Sequence, residues 1–137
     1  MKRITILGST GSIGKSALSS ISKHRGQFNV FALTAGKNIK LLERQILLFS
    51  PKIVAVADET AGHTLRKRMG RKCTVLSGSQ GIAEVAASPD TDFVLSAIVG
   101  AAGLLPTLSA IRAGNPVGLA NKETLVMAGD IVLRESR

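Results

Sequence analysis

The chain has 137 residues, 45% of them hydrophobic, and sets 18 Lys and Arg against 9 Asp and Glu for a formal net charge of +9. That length and apolar content suit a single domain with a buried core and exclude a disordered segment, while a lone cysteine excludes an internal disulfide and suits a reducing compartment. No apolar run reaches the length of a membrane span, and the run behind Lys2-Arg3 stops at Leu7, too short for a signal sequence, so a soluble cytoplasmic protein is expected.

Four Phe with neither Trp nor Tyr leave the core to Ile, Leu, Val and Ala, as in a parallel sheet covered by helices. A first strand is predicted at 3–7 and a first helix at 13–23. Between them lies Gly8-Ser9-Thr10-Gly11-Ser12-Ile13-Gly14. Glycine permits positive φ and a close approach of ligand to backbone, and the helix N-terminus offers free N–H groups and a positive dipole end to a pyrophosphate. Gly8, Thr10, Gly11, Ser12 and Ile13 are therefore candidate dinucleotide-binding residues. The spacing G-x-x-G-x-x-G departs from the commoner G-x-G-x-x-G, so the flanking strand and helix carry the weight of the assignment.

The second strand, at 28–34, leads into Ala35-Gly36-Lys37-Asn38 and a helix at 39–49 that Ser50-Pro51 brings to a stop. An NAD site ends its second strand with an Asp or Glu that accepts from the ribose 2′-OH. Here a cation stands instead, and Lys37 would welcome a 2′-phosphate through a charge-assisted contact while Gly36 frees backbone N–H groups. NADP is the expected cofactor; the alternative is a polar turn into the next helix.

A strand at 52–56 and a helix at 59–69 follow, the helix ending in Arg66-Lys67-Arg68 with Gly70 expected at its C′ position and Arg71-Lys72 beyond. Cations there complement the helix dipole, and no aromatic residues interleave to stack bases. A solvated basic face, attractive to phosphorylated small molecules, is expected over a nucleic-acid site. Cys73 is expected to be half-buried. His24 and His63 lack neighbours at metal-ligand spacing and read as surface helix residues. No carboxylate pair suggests a metal site, and a Tyr-x-x-x-Lys dyad is impossible without tyrosine.

A weak strand at 74–76 and a helix at 80–87 precede a strand at 93–96, which runs into Ala97-Ile98-Val99-Gly100-Ala101-Ala102-Gly103. These small apolar residues would let a flat ring approach the strand end, and tight helix packing explains them nearly as well. A helix at 104–113 carries Pro106 in its first turn and Gly114 at its C′ position. A strand at 117–120 is followed by Asn121, expected to cap a last helix at 123–134 and to leave Lys122 and Glu123 at the strand-end mouth as cofactor or substrate contacts. Repeated βα alternation without repeats or linkers predicts an α/β fold: a Rossmann-like, doubly wound parallel sheet in a single domain.

Taken together, residues 8–14, 35–38 and 97–107 with Leu119-Ala120-Asn121-Lys122-Glu123 resemble the N-terminal domain of the 1-deoxy-D-xylulose 5-phosphate reductoisomerase family over essentially the whole chain. The resemblance implies an NADPH-dependent rearrangement and reduction of a phosphorylated sugar, 1-deoxy-D-xylulose 5-phosphate, to 2-C-methyl-D-erythritol 4-phosphate in non-mevalonate isoprenoid biosynthesis, assisted by Mg or Mn in a homodimer. By position it implies Thr10, Gly11, Ser12 and Ile13 at the pyrophosphate, Gly36, Lys37 and Asn38 at the 2′-phosphate, Asn121 and Glu123 at the cofactor and Lys122 at the substrate. Asn115-Pro116-Val117-Gly118 departs from the family, which usually shows a Lys and a more apolar strand there. The family's Asp-Ser-Glu metal motif and its later catalytic and C-terminal domains fall after the last residue, Arg137. The expectation is a chain without catalytic or metal-binding residues of its own, which binds NADPH without turnover. Another NADP-dependent oxidoreductase and a non-catalytic dinucleotide-binding regulatory domain are the alternatives.

Overall fold

A computed structural model describes residues 1–119. Strands and helices alternate in the order β1 (Lys2–Leu7), α1 (Ser12–Ser22), β2 (Phe28–Ala35), α2 (Ile39–Phe49), β3 (Ile53–Val56), α3 (Glu59–Met69), β4 (Thr74–Ser77), α4 (Gly78–Ala87) and β5 (Phe93–Ser96). A short 3-10 turn (Gly100–Gly103), α5 (Leu104–Arg112) and β6 (Val117–Leu119) complete the described part. Its strands form one parallel sheet in the order β4-β3-β2-β1-β5-β6. The chain winds outward from β1 through β2 and β3 to β4, then crosses back to place β5 and β6 on the other side of β1. This is the expected doubly wound, Rossmann-like sheet, and the reversal puts a crevice at the carboxyl ends of β1 and β5.

Each face of the sheet is covered. Ile4, Ile6, Val30, Leu33, Val54 and Val56 point to the side where Leu18 of α1, Leu42 and Ile46 of α2 and Leu65 and Met69 of α3 close over them. On the opposite side Ala32 and Ala55 meet Ile82 and Val85 of α4, while Leu7 and Val94 meet Ala86 of α4 and Ala110 of α5. Strands buried on both faces read as near-continuous apolar runs, which is why β1, β3 and β5 were visible as short Ile, Leu and Val stretches.

At the amino end of the sheet, Asp92 accepts from the Arg3 backbone N–H at 2.8 Å and lies 3.2 Å and 3.3 Å from the Arg3 guanidinium nitrogens. The hydrogen bond from the Arg3 side chain holds the Asp92 carboxyl below the usual carboxylate range.

Several expectations need correction. Helix α4 starts at Gly78 rather than residue 80, because Gly78 with φ +80° turns the chain directly out of β4. Gly70 is right-handed, φ −60°, and its N–H bonds to Arg66 O, so it prolongs α3 instead of supplying a left-handed C′ residue. Gly114 is left-handed as expected, φ +85°. Cys73 is buried, not half-buried, and burial pushes its thiol pKa up. The last strand matches as far as Leu119, whereas the expected helix at 123–134 lies outside the described residues. No described helix is long and apolar enough to cross a membrane.

Candidate functional site

A cleft of about 650 Å³ opens at the carboxyl end of the sheet. Its floor is the glycine turn after β1, with Gly8, Thr10, Gly11, Ser12 and Ile13; Thr34, Ala35 and Gly36 at the end of β2 form one wall, and Ala97, Ile98 and Val99 after β5 the other.

The turn is built from contacts that only glycine allows. Gly8 has φ +83°, and a Cβ there would meet Ala97 O at 2.9 Å. A Cβ on Gly14 would lie 2.2 Å from Gly8 O, so the first turn of α1 rests directly on the backbone of the loop. Gly11 differs, since a Cβ there would meet nothing closer than Gly8 O at 3.8 Å. Gly11 is also the N-cap of α1, and lacking a side chain it caps no N–H; the first turn of α1 carries no acidic residue either. The N–H groups and positive dipole end of α1 are therefore offered to the cleft.

At the end of β2, Gly36, Lys37 and Asn38 are exposed, and a Cβ on Gly36 would meet nothing within 4 Å. Asn38 caps α2: its Oδ1 accepts from the Leu41 N–H at 3.2 Å, which leaves its amide NH₂ to solvent or ligand. The carboxylate that follows β3, Asp58, is taken up as the N-cap of α3, accepting from the Ala61 N–H at 2.9 Å. It does not stand in for the missing Asp or Glu at the end of β2.

The wall after β5 is fixed by buried hydroxyls. Ser96 and Thr107 share a hydrogen bond of 2.7 Å, and Thr107 Oγ1 donates to Gly103 O at 2.6 Å. This holds the 3-10 turn against α5 and presents Val99, 76% exposed, and Leu105, 59% exposed, as an apolar lip. Ile13 is also exposed, on the turn side.

The structure thus gathers Gly8, Thr10, Gly11, Ser12, Ile13 and Gly36 in one cleft; Lys37 and Asn38, next in the chain after Gly36, are exposed and do not line it. Asn121, Lys122 and Glu123 lie outside the described residues. Sequence reasoning missed the supports of the turn. The Gly8 N–H donates to Thr34 Oγ1 at 2.9 Å and the Ser9 N–H to Thr34 O at 2.8 Å, while Ser9 is bonded to Gln45 of α2. The available signal was Gln45 itself, a polar residue on the apolar stripe of Leu42 and Ile46.

Among the described residues no group of three or more His, Cys, Asp or Glu could hold a metal ion. In the basic cluster Arg68 pairs with Glu43 at 3.0 Å, and Arg66 Nε donates to Val75 O at 3.0 Å, so part of that charge is spent on packing α3.

Residues 4–129 match the family model described as 1-deoxy-D-xylulose 5-phosphate reductoisomerase. The whole chain aligns at 51% identity with the reductoisomerase of Actinobacillus pleuropneumoniae serotype 5b, of which it covers 35%. The enzyme of Buchnera aphidicola subsp. Acyrthosiphon pisum is 54% identical over 94% of the chain and 33% of its own length. A crystal structure of DOX-P reductoisomerase in complex with NADPH, fosmidomycin and magnesium superposes with a TM-score of 0.93 at 37% identity, over 99% of this chain and 34% of that one. The Zymomonas mobilis enzyme in complex with NADPH gives a TM-score of 0.90 at 36% identity, over 98% and 35% of the two chains. The chain spans about a third of the length of the relatives it matches. With a match to the family model over most of its residues, the chain belongs to the 1-deoxy-D-xylulose 5-phosphate reductoisomerase family.

Proposed function

We propose that the chain forms the NADPH-binding domain of a 1-deoxy-D-xylulose 5-phosphate reductoisomerase, the enzyme that rearranges and reduces that phosphorylated sugar to 2-C-methyl-D-erythritol 4-phosphate. The observation that carries the reading is the pairing of an uncapped helix N-terminus at Gly11 with a strand end that offers Gly36, Lys37 and Asn38 and no carboxylate. The cradle fits the cofactor: Gly11 and Gly36 both leave open the space that a Cβ would fill. The N–H groups of Ser12 and Ile13 hold the pyrophosphate, with Thr10 beside them, and the dipole of α1 offsets its charge. Lys37 and the free amide NH₂ of Asn38 hold the 2′-phosphate. Ile98, Val99 and Leu105 shield a bound ring from water, which strengthens the electrostatics of the site.

When bound, NADPH supplies the hydride for the reduction. Asn121 and Glu123 are assigned to the cofactor and Lys122 to the sugar phosphate, following the family pattern. The divalent metal of the family has no group of three ligands among the described residues. The relatives are about three times as long, and the complete reaction is assigned to the enzyme at that length, as a cytoplasmic homodimer by family resemblance. The domain by itself is expected to bind NADPH without turnover.

Calorimetric titration of wild type and Lys37→Ala with NADPH and NADH tests the assignment. Wild type is expected to prefer NADPH, and Lys37→Ala to lose about tenfold in NADPH affinity with NADH affinity unchanged, the equivalent of one charge-assisted hydrogen bond. Equal affinities of wild type for the two cofactors would overturn the reading.

A further inference from the structure

Gln45 shares one face of α2 with Leu42 and Ile46, and all three are buried. A primary amide in such a stripe is costly unless both its donor and its acceptor are satisfied. One residue satisfies both. Gln45 Nε2 donates to Ser9 O at 2.9 Å, and Ser9 Oγ donates to Gln45 Oε1 at 2.7 Å. The orientation of the amide follows from the chemistry, since a carbonyl oxygen only accepts.

Ser9 stands between Gly8 and Thr10 in the glycine turn and is itself fully buried. Its N–H donates to Thr34 O at 2.8 Å, and the preceding Gly8 N–H donates to Thr34 Oγ1 at 2.9 Å. The N–H, carbonyl and hydroxyl of Ser9 are thus all held by β2 and α2. Anchored in this way, the turn carries Thr10 through Ile13 into the cleft. Neither Ser9 nor Gln45 lines the cleft. The same α2 is capped by Asn38, seven residues before Gln45, so its first turn begins at the 2′-phosphate end and its second reaches the pyrophosphate end.

We propose that Ser9 and Gln45 are a pair of positioning residues for NADPH: their reciprocal hydrogen bonds set the pyrophosphate turn in its binding shape before the cofactor arrives, and tether it to the helix that presents Lys37 and Asn38. This rests on the NADPH reading of the cleft. Removing Gln45 leaves the buried Ser9 carbonyl without its Nε2 donor and the Ser9 hydroxyl with only Thr34 O at 3.3 Å, and the turn relaxes to find a partner for the carbonyl. The loss falls on the part of the ligand that touches the turn, while the 2′-phosphate end keeps its contacts.

The test compares NADPH with adenosine 2′-monophosphate, which lacks the pyrophosphate, by calorimetric titration of the full chain. Gln45→Leu, close in volume to the amide it replaces, is expected to lose about tenfold in NADPH affinity and less than twofold in adenosine 2′-monophosphate affinity. Ser9→Ala, which keeps the bond from Nε2 to the Ser9 carbonyl, is expected to lose about threefold in NADPH affinity alone, and carries the test if Gln45→Leu does not fold. Equal losses for the two ligands in a folded variant, or NADPH affinity unchanged in both variants, would overturn the positioning role while leaving the NADPH reading intact. Wild type that binds neither ligand would overturn both.

Discussion

Gly14 is where a single atom decides the site. A Cβ placed on it would lie 2.2 Å from Gly8 O, and that partner is backbone, so it cannot swing away. Gly14→Ala is expected to destabilise the fold by roughly 1–3 kcal/mol, the usual cost of forcing an extra methyl into a packed contact, and to abolish NADPH binding by lifting α1 off the turn. Urea denaturation and NADPH titration measure the two effects; a variant as stable as wild type would show that the contact relaxes freely. Thr107 is the corresponding point on the other wall. Thr107→Val keeps the shape but leaves Ser96 and the Gly103 carbonyl without their partner, at an expected cost of about 1–3 kcal/mol in the same denaturation experiment. The structural role of Gly8 was legible in the sequence because positive φ and close backbone approach narrow the choice to glycine, whereas Gly11, with φ −81° and open space at its Cβ, is required by neither. The roles of Ser9, Thr34 and Gln45 were not, because their partners lie 25 to 36 residues away and serine and threonine serve equally well in solvated turns.

At the scale of elements, strand and helix identity followed from apolar runs and helical periods, and β5 and α3 agree with their expected bounds. Boundaries moved where one residue's conformation decided them, as at Gly78 and Gly70. The 3-10 turn at Gly100–Gly103 gave no sequence signal, because four small residues carry neither period nor cap; its position is set by Thr107 from the following helix. The start of β5 is tied to β1 by Asp92 and Arg3. The Asp92 carboxyl titrates lower when folded than when unfolded, so its contribution to stability is present above the unfolded carboxylate pKa and is lost as pH falls through the folded one. Asp92→Asn is expected to be slightly less stable than wild type at neutral pH, with the gap closing at about pH 2. Urea midpoints at the two pH values check it, and a gap that widens in acid would contradict the assignment.

For the whole molecule, parallel βα alternation identified the fold class, but periodicity names strands without naming their neighbours. The order β4-β3-β2-β1-β5-β6 emerges only from the packing, and it places the crevice beside β1, where the glycine turn had already been found. Net charge of +9 gave no comparable guidance, since a basic face and a phosphate-binding cleft are both compatible with it. On the proposed reading the cleft receives two ends of one ligand, and amide-resolved NMR of the full chain titrated with NADPH reads both at once. The amides of Gly8 and Thr10 through Ile13 are expected to shift together with those of Gly36, Lys37 and Asn38, and NADH is expected to leave the second group nearly unmoved. Shifts confined to the basic end of α3, or none at the glycine turn, would contradict the assignment of this cleft to NADPH.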